Sequence, residues 1–191
     1  MRKIVLASSS PRRKELLEQI GLRFEVDPSN CDEEMHNGLE PHELARSLSL
    51  EKARAVAPKY KDALIIAADT FIVFGDSLMG KAHTDEDAYR MLSELNGQTH
   101  SVITGLTVLD TSDNRMVTDC VETTVRFRKL TEQELNNYVA SGEPIGKAGA
   151  YAIQGLGAVI VQGIEGDYSN VVGLPLTALA QALKDFGLSV L

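Results

Sequence analysis

The chain has 191 residues, 43% hydrophobic and 24% charged, with a formal net charge of -8, which suits one soluble globular domain with a sizeable core. The acidic balance argues against nucleic-acid partners, so any anionic substrate must be met by a local cluster of Lys and Arg. No apolar run reaches the roughly 20 residues that cross a membrane, and the first residues lack the long apolar stretch and cleavage site of a signal peptide.

Residues 3–7 read as a buried strand. Ser8-Ser9-Ser10-Pro11-Arg12-Arg13 follows, and residues 14–20 place Leu16, Leu17 and Ile20 on one helical face. Ser10 suits the N-cap and Pro11 the first helical position. Arg12 and Arg13 then fall in the first turn, the end where positive charge is disfavoured. A bound anion resolves the conflict by taking helix amides, serine hydroxyls and both guanidinium groups together. Gly21 closes this helix, and residues 23–26 suit a short strand. Asn30-Cys31-Asp32-Glu33-Glu34 is an acidic loop, by composition alone a solvent-facing run. Residues 41–57 read as a helix whose apolar stripe includes Leu44, Leu48 and Ala55. Lys52 falls in that stripe, four residues after Leu48, and there needs a partner or a ligand unless it snorkels.

Leu64-Ile65-Ile66-Ala67-Ala68-Asp69-Thr70 reads as a buried strand of an α/β sheet ending in a carboxylate and a hydroxyl. Open sheets bind ligands at such carboxyl ends, and a buried carboxylate needs a cation or donors. Gly75-Asp76 suits a two-residue hairpin turn. That register sets Phe74 opposite Ser77 and Thr70 opposite Lys81, bringing an amine beside Asp69. Thr84 caps a helix to Leu95, which Gly97 ends. Residues 100–109 and 116–128 alternate and form an antiparallel hairpin. Thr131-Glu132-Gln133-Glu134 is a capping box opening a helix to Ser141. Residues 143–176 are glycine-dense, with Glu143, Lys147, Gln154, Asp167 and Asn170 interspersed, and residues 177–186 form a closing helix. With no linker or repeat, residues 1–191 read as a single domain.

Two motifs tempt and fail. Gly75 to Lys81 satisfies G-x-x-x-x-G-K, but Ala82 stands where a P-loop needs Ser or Thr. Gly75-Asp76-Ser77-Leu78 spells an esterase motif, yet no histidine has Asp three residues before it. Cys31 and Cys120 have neither CxxC nor zinc spacing and read as cytosolic thiols.

Ala7 to Arg13, Glu33, Lys52-Ala53, Ala67 to Thr70, Gly80-Lys81 and residues 143–175 together resemble the Maf family of nucleoside triphosphate pyrophosphatases. The stretches from Lys147 to Gly155 and from Gly166 to Pro175 are the most specific. The resemblance implies an α/β fold, a twisted mixed sheet flanked by helices with a central cleft, like that of inosine triphosphatases. It implies a cytoplasmic homodimer that hydrolyses a nucleoside triphosphate to monophosphate and pyrophosphate with a divalent cation, Mg2+ or Mn2+. Asp69 would be the proton acceptor and, with Glu33, a metal ligand. Ser8, Ser10, Arg13, Lys52, Lys81, Glu143 and Lys147 would bind substrate, with Arg12, Thr70 and Gln154 governing base choice. With those three residues the chain resembles the dTTP/UTP branch of the family rather than the methylated-GTP branch. The chain departs from the family at Ala82, where Pro is common, and at Gly146, where Asp is usual. A phosphotransferase using the P-loop-like run and a nucleotide-binding regulator without turnover remain the rival classes.

Overall fold

The computed structural model describes residues 2–29 and 38–191. Its strands are β1 (Lys3–Leu6), β2 (Glu25–Val26), β3 (Ala63–Phe74), β4 (Ser77–Met79), β5 (Thr99–Asp110), β6 (Met116–Phe127) and β7 (Val161–Glu165). The helices are α1 (Pro11–Gln19), α2 (Pro41–Val56), α3 (Asp85–Leu95), α4 (Glu132–Ala140), α5 (Tyr168–Val172) and α6 (Leu176–Lys184). Among the described residues, seven strands form a mixed sheet in the order β2-β1-β3-β5-β6-β7, with β4 paired to β3. This is the helix-flanked α/β architecture expected from the sequence. The chain divides into two compact units, one drawn from Met1–Asp69, Thr104–Val121 and Gly173–Leu191, the other from Thr70–Ile103 and Glu122–Val172.

In the first unit β1 is parallel to both neighbours, pairing Val5 with Glu25 of β2 and Lys3 through Leu6 with Ala63 through Ile66 of β3. Parallel strands covered on both faces read as continuous apolar runs, and residues 4–7 and 63–68 are buried throughout. α2 covers one face, where Ala53 and Val56 join Val5, Ile65, Ala67 and Leu109. Its stripe is Leu44, Ala45, Leu48, Ser49, Lys52, Ala53 and Val56. Ala55, expected within it, lies at its margin and is exposed. α2 approaches β5 so closely that a Cβ on Gly105 would stand 1.8 Å from the Ala45 carbonyl oxygen.

The second unit is built on the β3–β4 hairpin, in the expected register of Phe74 with Ser77 through Ile72 with Met79. Ile72, Leu92, Leu95, Val125, Phe127 and Tyr138 share its core. α3 is capped as expected, the Asp87 N–H donating to Thr84 Oγ1 at 3.1 Å. α4 has its reciprocal box, with Glu134 N–H on Thr131 Oγ1 at 3.3 Å and Thr131 N–H on Glu134 Oε2 at 2.8 Å.

Three local expectations are corrected. β3 does not end at Thr70 but runs to Phe74. β1 is the strand that stops: the Ala7 N–H makes a bond to the Ile66 carbonyl at 2.8 Å, and the chain then turns away. Asp69 therefore stands beyond the end of β1, not at the end of its own strand. β5 does not alternate, since it lies between β3 and β6 and is buried along nearly its whole length. β7, α5 and a 3-10 turn (Gly155–Val159) form in the glycine-dense region, where the sequence shows no clear periodicity.

Candidate active site

In the first unit, the chain leaving β1 wraps around a buried hydroxyl. Ser8 Oγ accepts from the Ser10 N–H at 3.2 Å and from Arg13 Nη1 at 3.1 Å, and Arg13 Nε donates to the Gly173 carbonyl at 2.8 Å. Ser10 holds the N-cap position of α1, but its hydroxyl makes no cap hydrogen bond, so Ser8 organises this turn. The first turn of α1 carries no acid and includes Arg12 and Arg13, both half-buried. Helix amides and two guanidinium groups at one terminus form an anion-attracting arrangement.

The second feature of this unit is an ion pair. Strand alternation puts Ile65, Ala67 and Asp69 on the face that α2 covers. Helical spacing puts Lys52 one turn before Val56 on the side of α2 facing it. Lys52 Nζ donates to Asp69 Oδ1, and the two side chains are only 9% and 11% exposed. Each charge offsets the desolvation of the other. Lys52 is thus an ion partner and does not snorkel.

In the second unit, residues 80–82 lie against residues 146–149. Lys81 forms an antiparallel bridge with Ala148. The Gly149 N–H donates to Gly80 O at 3.0 Å, the Ala82 N–H to Lys147 O at 3.1 Å, and the Gly146 N–H to Ala82 O at 2.8 Å. Lys81 and Lys147 therefore stand on adjacent antiparallel segments, and Lys147 Nζ donates to Ile145 O at 3.2 Å. The run from Gly75 to Lys81 is a hairpin leading into this bridge, not the strand-to-helix loop of a P-loop. Thr70, half-buried, follows Asp69 in β3.

The carboxylate of Glu143 accepts from Tyr138 Oη at 2.9 Å, the Leu156 N–H at 3.0 Å and the Gly157 N–H at 2.8 Å. Gln154, half-buried, stands at the N-cap of the 3-10 turn that these amides open. Asp167 and Asn170 anchor α5. Asp167 Oδ1 accepts from the Ser169 N–H at 2.7 Å, and Asn170 Nδ2 donates to Val102 O and Thr123 Oγ1, both at 3.0 Å.

A family profile described as Maf-like protein matches residues 3–186. The chain belongs to the Maf-like protein family. A dTTP/UTP pyrophosphatase of Pelotomaculum thermopropionicum is 49% identical over 191 residues, 100% of each chain. One of Ruminiclostridium cellulolyticum is 50% identical over 186 residues, 96% of each chain. A solved nucleoside-triphosphatase / dITP/XTP pyrophosphatase from Mycobacterium abscessus aligns over 96% of this chain and 98% of that one, at 12% identity and a TM-score of 0.41.

Both departures from the Maf pattern have a local account. Gly146 is left-handed, with φ +73° and nothing within 4 Å of a Cβ. Asp tolerates that region better than most residues, so the position suits either. Ala82 donates the N–H that a proline would lack, which gives this chain one more tie between its two lysine segments. Glu33 lies outside the described residues. Among those described, no group of three or more His, Cys, Asp or Glu assembles as metal ligands. Asp69 nevertheless offers a hard oxygen donor, and one or two carboxylates with substrate phosphates form an ordinary magnesium set, so the residue fits a divalent cation.

Two residues were not foreseen as site elements. The Gly173 carbonyl holds Arg13, and no side-chain pattern signals a carbonyl. Tyr138 holds Glu143, and here a signal existed: a tyrosine on the apolar face of a helix, whose hydroxyl needs a partner when buried.

Proposed function

We propose that this protein is a nucleoside triphosphate pyrophosphatase that hydrolyses dTTP and UTP to the monophosphate and pyrophosphate. The substrate assignment is supported by relatives of that name at 45–50% identity, matched over 95–100% of this chain. The observation that carries the chemistry is the buried Lys52–Asp69 pair, a rigidly placed carboxylate held by a cation. In this reading Asp69 accepts a proton from the water that attacks the α-phosphorus as pyrophosphate leaves. Arg13, Lys52, Lys81 and Lys147 hold the phosphates, with Ser8 and Ser10 shaping the loop around them. Arg12, Thr70 and Gln154 read the base. Asp69 and Glu33 hold a divalent cation, Mg2+ or Mn2+, which when bound neutralises charge on phosphate oxygens. Homodimer formation and a cytoplasmic location belong to the same reading through the family resemblance.

The experiment is a panel of nucleoside triphosphates incubated with Mg2+ or Mn2+, with monophosphate and pyrophosphate quantified. Expected are dTTP and UTP as the best substrates, stoichiometric pyrophosphate, and loss of turnover in excess EDTA. Faster hydrolysis of GTP or a methylated GTP would overturn the base assignment. Release of orthophosphate, or full activity in EDTA, would overturn the mechanism.

A further inference from the structure

The backbone on both sides of Gln154 is held by one pair of side chains. Upstream, the Ala152 N–H donates to Tyr138 Oη at 3.2 Å. Downstream, the Leu156 and Gly157 N–H groups donate to the Glu143 carboxylate at 3.0 and 2.8 Å. Tyr138 Oη in turn donates to Glu143 at 2.9 Å, closing the clamp. Tyr138 is buried on α4, which its capping box anchors. Burial opposes the charge on Glu143, yet the two amides and the Tyr138 hydroxyl outweigh it and lower its pKa.

The glycines around Gln154 are the counterpart of this clamp. Gly155 has φ +66°, and a Cβ there would stand 2.3 Å from Glu143 Oε2. A Cβ on Gly157 would stand 2.0 Å from Ala152 O and 2.8 Å from Tyr138 Oη. The segment therefore closes on its two anchors to a distance only glycine permits. Such crowding fixes direction as well as position, and direction is what a side-chain amide needs to tell one base edge from another.

We propose that Tyr138 and Glu143 are positioning residues for nucleobase selection, fixing residues 152–157 so that Gln154 presents its amide in one orientation. This rests on the reading of Gln154 as a base-contacting residue, and it moves Glu143 from substrate contact to support. Loosening the clamp should weaken discrimination between bases while leaving the Lys52–Asp69 pair intact.

The test is kcat/KM for dTTP and dCTP, measured by pyrophosphate release, in wild type, Tyr138→Phe, Glu143→Gln, Gln154→Ala and the double variant Tyr138→Phe/Gln154→Ala, with Tm for each. Tyr138→Phe removes only the hydroxyl, so it serves even where Glu143→Gln folds poorly. Expected is a fall of about tenfold in the dTTP:dCTP ratio in Tyr138→Phe, the scale of one lost hydrogen bond, carried by a higher KM for dTTP more than by kcat. In the Gln154→Ala background the same change should leave the ratio where it is. A lower Tm with an unmoved ratio would reduce the clamp to a structural tie and overturn the proposal. Equal effects with and without Gln154 would also overturn it, as would an unmoved ratio in Gln154→Ala. Absence of pyrophosphate from the wild type would instead remove the pyrophosphatase reading on which the proposal stands.

Discussion

In the first unit Asp69 is held by an opposite charge, Lys52, on the face of a helix packed against its strand. In the second unit Glu143 is held by neutral donors, a tyrosine hydroxyl and two backbone amides. A buried ion pair is strong but weakly directional, and removing one partner strands the other. A clamp of amides is directional and makes strict demands on the backbone, seen in the space at Gly155 and Gly157. In the proposed reading the first suits chemistry, which needs a charge in place, and the second suits selectivity, which needs a loop in one shape.

The largest effect should come from Asp69→Asn. Loss of a positioned base typically lowers rate by about 10²–10⁴-fold. The variant also removes the charge that meets Lys52, which costs about 3 kcal/mol when a buried ion pair is broken, so urea denaturation should show a lower midpoint. Adding Lys52→Met should restore most of the stability and none of the activity. An Asp69→Asn protein within a few-fold of wild-type turnover would end the assignment.

Arg13→Ala comes next. It removes the links from Arg13 to Ser8 and Gly173, and losing hydrogen bonds from a charged group should lower kcat/KM about tenfold to a hundredfold. Because Arg13 holds phosphates rather than the base in the proposed reading, dTTP and dCTP should suffer alike. A changed dTTP:dCTP ratio in Arg13→Ala would erase the distinction between the two devices.

How much of this was legible in the sequence follows the same division. Lys52 and Asp69 were visible because each violates a periodic apolar pattern, and a violation in a regular element points to a partner. The caps of α3 and α4 were visible because they are local. That the buried strand runs unbroken into the hairpin as one β3 was not, since continuation past Thr70 depends on β4, a separate segment, taking up hydrogen bonds from Ile72 to Phe74. β7, α5 and the 3-10 turn were missed because their glycines carry no side-chain periodicity and the bonds that shape them come from distant residues such as Thr123 and Glu143. The partners of Glu143 were illegible for the same reason: sequence shows a carboxylate among glycines but not which amides it faces.

Two glycine substitutions sharpen the comparison further. Gly105→Ala in the first unit would drive a methyl to 1.8 Å from Ala45 O, and Gly157→Ala in the second would drive one to 2.0 Å from Ala152 O. Each should destabilise by about 1–3 kcal/mol, as overpacking does. Only Gly157→Ala should also lower the dTTP:dCTP ratio. Equal shifts in that ratio would mean that loosening either unit suffices and that the clamp has no special part.

The smallest effects are in the response to acid, where a buried histidine and the paired carboxylates should separate by pH. His100, in the second unit, is buried against Phe127 and Tyr151; its Nε2 pairs with the Tyr151 hydroxyl at 2.9 Å, and its Nδ1 has no hydrogen-bond partner among the described residues. Burial pushes its pKa down to about 4, whereas an unfolded imidazole titrates near about 6.5. Between those values the unfolded chain binds a proton that the native one does not, so stability falls as pH drops through that window. Asp110, in the first unit, is also buried, but donors on Arg2 and Ser112 outweigh burial and hold its carboxyl down to about 2. Its contribution is complete above the ordinary carboxyl range near about 3.9 and is lost as pH falls from there toward 2. Urea midpoints from pH 7 to 2 should therefore show two limbs. His100→Gln should flatten the upper limb and spare the lower. Asp110→Asn should reduce the lower limb only in part, because Glu134, held down to about 2 by Arg128 and Thr131, titrates there as well. An upper limb that survives His100→Gln unchanged would show that the acid response of the second unit does not come from its buried histidine.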